Sequence, residues 1–231
     1  MPTSLTPSLE DYLETIYLLQ QENKREARVR DIAAARSVKA SSVSPALRRL
    51  SELGYLSYEQ RESIQLTELG KIAARRVYAR HVLLFQFFHD ILGMEEERAR
   101  EEACGLEHAL SDEGMDRFVR FFESRLQCGA GESEKCTSSD SASCSKCTNC
   151  RHNLSETRLT LDKIEDDETA SVLRVRATGQ ERQKILDMGI IPNVLVQRVR
   201  ATKTGLLVNI AKHELELSND QARCIVVKKL G

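Results

Sequence analysis

Cys104, Glu107 and His108 stand three and one residues apart. On a helix, positions three and four apart share a face, so a thiolate, a carboxylate and an imidazole converge on one point. Asp11 and Glu14, three apart near the start of the chain, share a face of another helix and can complete a ligand shell. His81 falls in a long helical stretch between the two groups. Taken singly, each residue has an ordinary explanation: a Glu beside a His is usually a surface pair, and a lone Cys is usually a small core residue. Taken together they have the donor chemistry of a divalent-cation site. Cys104 with His108 as its base is also the pairing of a nucleophilic enzyme, but nothing in the sequence supplies an oxyanion hole or substrate pocket. The chain therefore reads as a non-enzyme.

Cys136, Cys144, Cys147 and Cys150 follow a C-x7-C-x2-C-x2-C spacing, with Cys128 upstream. Two-residue gaps wrap thiolates around Zn(II) or an iron–sulfur cluster; the alternative is a reduced, flexible tether. A third group is suited to phosphates. Lys39, Ser41, Ser42, Pro45 and Arg48 cluster at the start of a helix, where hydroxyls and free backbone N–H groups meet anions. Arg28, Arg30, Arg36 and Arg49 flank them, and Arg61 sits at a hairpin tip.

The elements that position these groups follow from periodicity. Leu9, Tyr12, Leu13, Ile16 and Leu19 recur at helical spacing behind Ser8, a suitable N-cap. Residues 28–38 form a short helix with Val29, Ile32 and Ala33 inward. A polar corner leads to a second helix with Ser41 as N-cap, Pro45 in its first turn and Gly54 as a left-handed C-cap. Two short strands, 55–58 and 63–67, then enclose a wing. Helix, corner, helix and hairpin is the order of a winged helix-turn-helix, with residues 68–92 as a long helix after it. The helical pattern fades from Phe118. Residues 128–150 are Gly, Ser, Thr and Cys, too poor in aliphatics for a core. From Leu159 to Leu230 apolar and polar residues alternate, punctuated by Gly179, Gly189, Pro192, Asn193 and Gly205.

The bulk numbers agree. The chain has 231 residues, and 34 basic against 35 acidic ones give a net charge of -1. DNA binding needs local rather than global positive charge, so neither sign of partner is excluded. A hydrophobic content of 41% supports packed cores. No apolar run approaches the roughly 18 residues that span a bilayer, and the start lacks the order of a signal peptide. A cytoplasmic protein without membrane partners is expected, its cysteines thiols or metal ligands.

The segments SLEDYLETIYLLQ, RVRDIA, SSVSPALRRLSELGYL, IQLTELG, RRVYARHVLLFQFF and REEACGLEHALSDE resemble the diphtheria-toxin-repressor family over residues 5–123. ERQKILDMGIIPNVLVQRV and LLVNIAKHELELSNDQARCIVV resemble the FeoA-type, SH3-like domain. The resemblance implies a metal-activated homodimer that represses metal-uptake genes by binding palindromic double-stranded operator DNA. By position, Asp11, Glu14, His81, Cys104, Glu107 and His108 would be the activating ligands, for Fe(II) or Mn(II). The set departs from both branches: iron sensors tend to carry Met at position 11, and manganese sensors Glu at position 104. Phe85 and Arg100 stand where the ancillary site of iron sensors has an acid and a His, which implies that this site is missing. Asp11 and Glu14 together would support a second metal, as in the manganese branch.

The expected fold is α+β: a winged helix-turn-helix (1–72), a helical metal-binding and dimerisation domain (73–125), a Cys-rich linker (126–157) and a small SH3-like β-barrel (158–231). The expected function is metal-activated repression. The alternative is a DNA-binding redox or iron–sulfur sensor governed by the linker.

Overall fold

The computed structural model describes residues 5–23, 27–58, 64–128, 158–210 and 213–230. They divide into two compact units, Met1–Ala109 with Asp187–Gly189, and Leu110–Leu186 with Ile190–Gly231.

In the first unit, α1 (Pro7–Asn23), α2 (Val29–Ala35) and α3 (Ala40–Glu52) precede a hairpin of β1 (Leu56–Ser57) and β2 (Gln65–Leu66). Helix α1 starts two residues earlier than its sequence suggests. Thr6, not Ser8, offers the carbonyl that receives the N–H groups of Leu9 and Glu10, because Pro7 suits the first helical position, where no N–H is needed. Leu13, Ile16, Ile32, Val43, Leu47 and Leu50 are fully buried between the three helices. Helix α3 also begins early. Lys39 is its N-cap, without a side-chain bond, so Ser41 is not the cap and Pro45 lies inside the helix. Gly54 ends α3 at φ 82°; its N–H reaches Ser51 O and that of Tyr55 reaches Leu50 O, the paired bonds of a Schellman terminus.

Helix α4 (Glu68–Gln86) is capped by Thr67, whose hydroxyl accepts from Gly70 N. Gly70 is required here: a Cβ would run into the Tyr55 carbonyl oxygen, so the hairpin lies directly on the helix start. The helix passes into a π-helical turn, Phe87–Ile91. Helix α5 (Glu96–Glu107) buries Ala99, Ala103 and Glu107.

The second unit opens with α6 (Asp112–Cys128). Here the reading that the helical pattern fades from Phe118 is corrected. Met115, Val119 and Phe122 form a buried stripe at spacings of four and three, and the helix continues to the glycine- and serine-rich run. Strands β3 (Arg158–Thr160), β4 (Thr169–Val175), β5 (Leu195–Ala201), β6 (Gly205–Ile210), β7 (His213–Ser218) and β8 (Ile225–Lys229) form one antiparallel sheet in the order β3-β8-β4-β5-β6-β7. Register shifts at Val172/Arg174 and Arg198/Arg200 mark bulges, which increase twist and curl the sheet. A single 3₁₀ turn, α7 (Gly179–Asp187) and α8 (Asn219–Cys224) complete the unit. Glu123 of α6 accepts the Val175 N–H at 2.8 Å, and Arg182 of α7 donates to Asp116, Glu123 and the Val175 carbonyl. Among the described residues no helix is long and apolar enough to cross a membrane.

Candidate metal centre and DNA-reading face

Glu107 is the centre of the site. It is the last residue of α5, and its side chain is fully buried. Its Oε2 lies 2.7 Å from His81 Nδ1 of α4. Its Oε1 is buried without a hydrogen-bond partner, 3.3 Å from His108 Nε2. A buried carboxylate oxygen left unbonded costs about 1–3 kcal/mol or more, unless a cation completes it.

Two triads share Glu107. The ligand atoms of Asp11, Cys104 and Glu107 lie within 4.8 Å of one another, as do those of Glu14, His81 and Glu107. His108 joins the first group through Nε2, which lies 2.6 Å from Asp11 Oδ1. All six residues singled out from the sequence are thus brought together, from α1, α4 and the end of α5.

The electrostatics are those of crowded anions. Burial, then the negative charge of Glu107, lifts the Glu14 pKa to about 7. Cys104 is exposed, yet partial desolvation and then the fields of Glu107, Asp11 and Glu14 raise its thiol. Burial alone would lower His81, but its bond to Glu107 outweighs this and leaves it raised. The same holds for His108, where the bonds to Glu10 and Asp11 win. Oxygen, nitrogen and sulfur donors around an unbonded buried oxygen fit a divalent ion.

Two neighbours escaped sequence reasoning. Glu10 Oε2 lies 2.7 Å from His108 Nδ1, which aims the other ring nitrogen at Asp11 and Glu107. A signal existed, since Glu10 and Glu14 are four apart on α1. Arg36, expected beside the DNA, instead turns to the site, with Nη2 donating to Asp11 Oδ2 at 2.6 Å. No local pattern links residues 25 apart.

At the ancillary positions, the Arg100 guanidinium lies 5.1 Å from the Phe85 ring centroid and pairs with Glu96. The two side chains are thus engaged with each other in a cation–π contact.

On α3 the buried Val43, Leu47 and Leu50 leave Lys39, Ser41, Ser42, Pro45 and Arg48 exposed, with Arg49 paired to Glu52 at 3.1 Å. One face of the helix is therefore polar, basic and open. Arg61, Cys136, Cys144, Cys147 and Cys150 lie outside the described residues.

Residues 4–64 match the iron dependent repressor N-terminal DNA binding domain, residues 67–134 the metal binding and dimerisation domain of the same repressors, and residues 159–229 the FeoA domain. An uncharacterised HTH-type transcriptional regulator of Methanocaldococcus jannaschii is 41% identical over 119 residues, 52% of this chain and 95% of that protein. The chain belongs to the iron-dependent repressor family. The HTH-type transcriptional regulator MntR of Bacillus pumilus is 45% identical to this repressor over 121 residues, 51% of this chain and 83% of that one. A crystal structure of the metal-dependent transcriptional regulator MtsR is a weak whole-chain likeness, with a TM-score of 0.48 and 20% identity over 98% of this chain and 100% of that chain. As a member of this family the protein is a metal-dependent, DNA-binding transcriptional repressor and not an enzyme.

Proposed function

We propose that this repressor is a homodimer that silences metal-uptake genes when Fe(II) or Mn(II) fills the Glu107-centred site, and that it reads a palindromic operator through α3 and the wing. The observation that carries the proposal is the convergence of five donors from three helices on the buried carboxylate of Glu107. Asp11, Glu14, His81, Cys104, Glu107 and His108 would hold the metal, and the two triads sharing Glu107 support two ions side by side. Five oxygen or nitrogen donors and one thiol suit Fe(II) and Mn(II) better than they suit a soft, thiolate-preferring ion such as Cu(I). Bound there, a divalent ion supplies the positive charge that lets these carboxylates stay ionised together.

The protein's own side chains do the rest. Asp11 and Glu14 bring α1 to the site, His81 brings α4, and Glu107 with His108 brings the end of α5. With the three helices drawn together, the reading heads of a dimer are held at one spacing, so the population shifts toward the form that fits successive major grooves. Lys39, Ser41, Ser42, Pro45, Arg48 and Arg61 are the proposed DNA contacts, with Lys39 and Arg61 on phosphates. Coupling between metal and DNA of about 1–3 kcal/mol is typical of such linkage.

The test is an anaerobic operator titration of wild type and Glu107→Ala with Fe(II), Mn(II) and Zn(II) in turn. Metal-dependent binding in wild type, lost in the variant, is expected. Equal operator affinity for loaded, metal-stripped and variant protein overturns the proposal.

A further inference from the structure

We propose that Arg36 is a resident counter-cation of the metal centre: its guanidinium competes with the divalent ion for Asp11 and sets the metal concentration at which the site fills. The inference rests on the cation-site reading above and adds a residue outside the ligand set.

Arg36 is the C-cap of α2, within the helix-turn-helix, and it reaches back to α1. It holds its place by two contacts. Nη2 donates to Asp11 Oδ2 at 2.6 Å, and the guanidinium carbon lies 5.0 Å from the Tyr12 ring centroid. Its Nε is buried and bonded to nothing. Arg182 shows the contrast. There Nε donates to Asp116, one terminal nitrogen to Glu123 and the Val175 carbonyl, and the other to Glu123. An arginine placed for architecture has its donors filled, as Arg182 does. Arg36 is held by charge, and leaves a buried donor unsatisfied to do so.

The charge it answers is local. Glu10, Asp11, Glu14 and Glu107 face one another across His81 and His108, and Arg36 is bonded to the Asp11 carboxylate of this group. A positive charge one carboxylate away repels an arriving cation. In partly buried surroundings that repulsion is worth about tenfold or more in affinity. The rival role is to orient Asp11 as a ligand; removing such an outer partner typically weakens binding by about 10–100-fold. The two roles have opposite signs, which makes the choice measurable.

The full-length protein is stripped with a chelator and titrated with Mn(II), free ion being counted by electron paramagnetic resonance, for wild type, Arg36→Gln and Arg36→Lys. Arg36→Gln is expected to bind Mn(II) about tenfold tighter or more, and Arg36→Lys, which keeps the charge, to stay near wild type. Unchanged or weaker binding by Arg36→Gln overturns the inference. Thermal melts cover a variant that folds poorly: Mn(II) must raise its midpoint more than that of wild type, and failure to do so also overturns it. If wild type takes up neither Mn(II) nor, in a parallel anaerobic titration, Fe(II), the metal-centre reading falls first, and the inference with it.

Discussion

At the scale of single residues, the centre is a set of groups held away from their preferred protonation states. Glu14 carries a pKa of about 7 against an ordinary value near 4.5. A carboxyl raised on folding binds its proton more tightly in the native state, so its contribution is fully present below pH 4.5 and is lost as pH rises through 7. The loss is on the order of 3 kcal/mol. His81 and His108 are also raised, through their carboxylate partners; their contribution is complete below the ordinary imidazole value and fades above it. All three act in the same direction. The metal-free protein should therefore lose stability from pH 5 toward pH 8 in its N-terminal unit. Urea unfolding of wild type and Glu14→Gln across this range isolates the Glu14 share: the wild-type advantage should shrink with rising pH, and a parallel pair of curves would refute the assignment. Because these groups must release protons to bind a cation, metal affinity should climb over the same range.

At the scale of elements, one local feature fixes a helix in each unit. The first is Gly70, packed under the Tyr55 carbonyl where β1 meets α4. Gly70→Ala should cost about 2–3 kcal/mol, read from the urea midpoint. Gly105, on the open face of α5 with free space where a Cβ would stand, should tolerate Ala or gain up to about 1 kcal/mol. The second is the Arg182–Glu123–Asp116 group, which fastens α6 to the sheet. Arg182 and Glu123 side chains are 5% and 9% exposed, so Arg182→Ala strands a buried carboxylate and should cost about 3–5 kcal/mol. A change below 1 kcal/mol in chemical denaturation would show that the group is incidental.

At the scale of the whole molecule, the chain forms two compact units, with Leu110 opening the second, although the family's metal binding and dimerisation domain matches residues 67–134. All six proposed ligands fall in the first unit. Scanning calorimetry should resolve two transitions, with Mn(II) raising only that of the N-terminal unit, by about 2.7 kcal/mol at a hundredfold excess over the dissociation constant. An equal rise in both, or in neither, contradicts the placement of the site.

The sequence by itself determined the helix-turn-helix, because apolar residues at helical spacing and Gly54 at a helix end are local signals. It also marked five of the six candidate ligands, since Asp11 with Glu14 and Cys104 with Glu107 and His108 lie within one turn of each other; His81 joined them through the family resemblance. The starts of α1 and α3 lie two residues before those that Ser8 and Ser41 suggest, because Pro7 suits the first helical position and Lys39 takes the extended N-cap conformation without a side-chain bond. Helix α6 runs on to Cys128, past the fading of its pattern at Phe118 and the domain end expected at 125; the pattern fades because its apolar stripe runs into a segment of opposite character. Only the tertiary structure decided that Glu107, rather than the exposed Cys104, stands at the middle, that Glu10 backs His108, and that Arg36 turns toward Asp11 instead of DNA. Those outcomes depend on burial and on charges brought together from distant parts of the chain, and periodicity along a sequence carries no record of either.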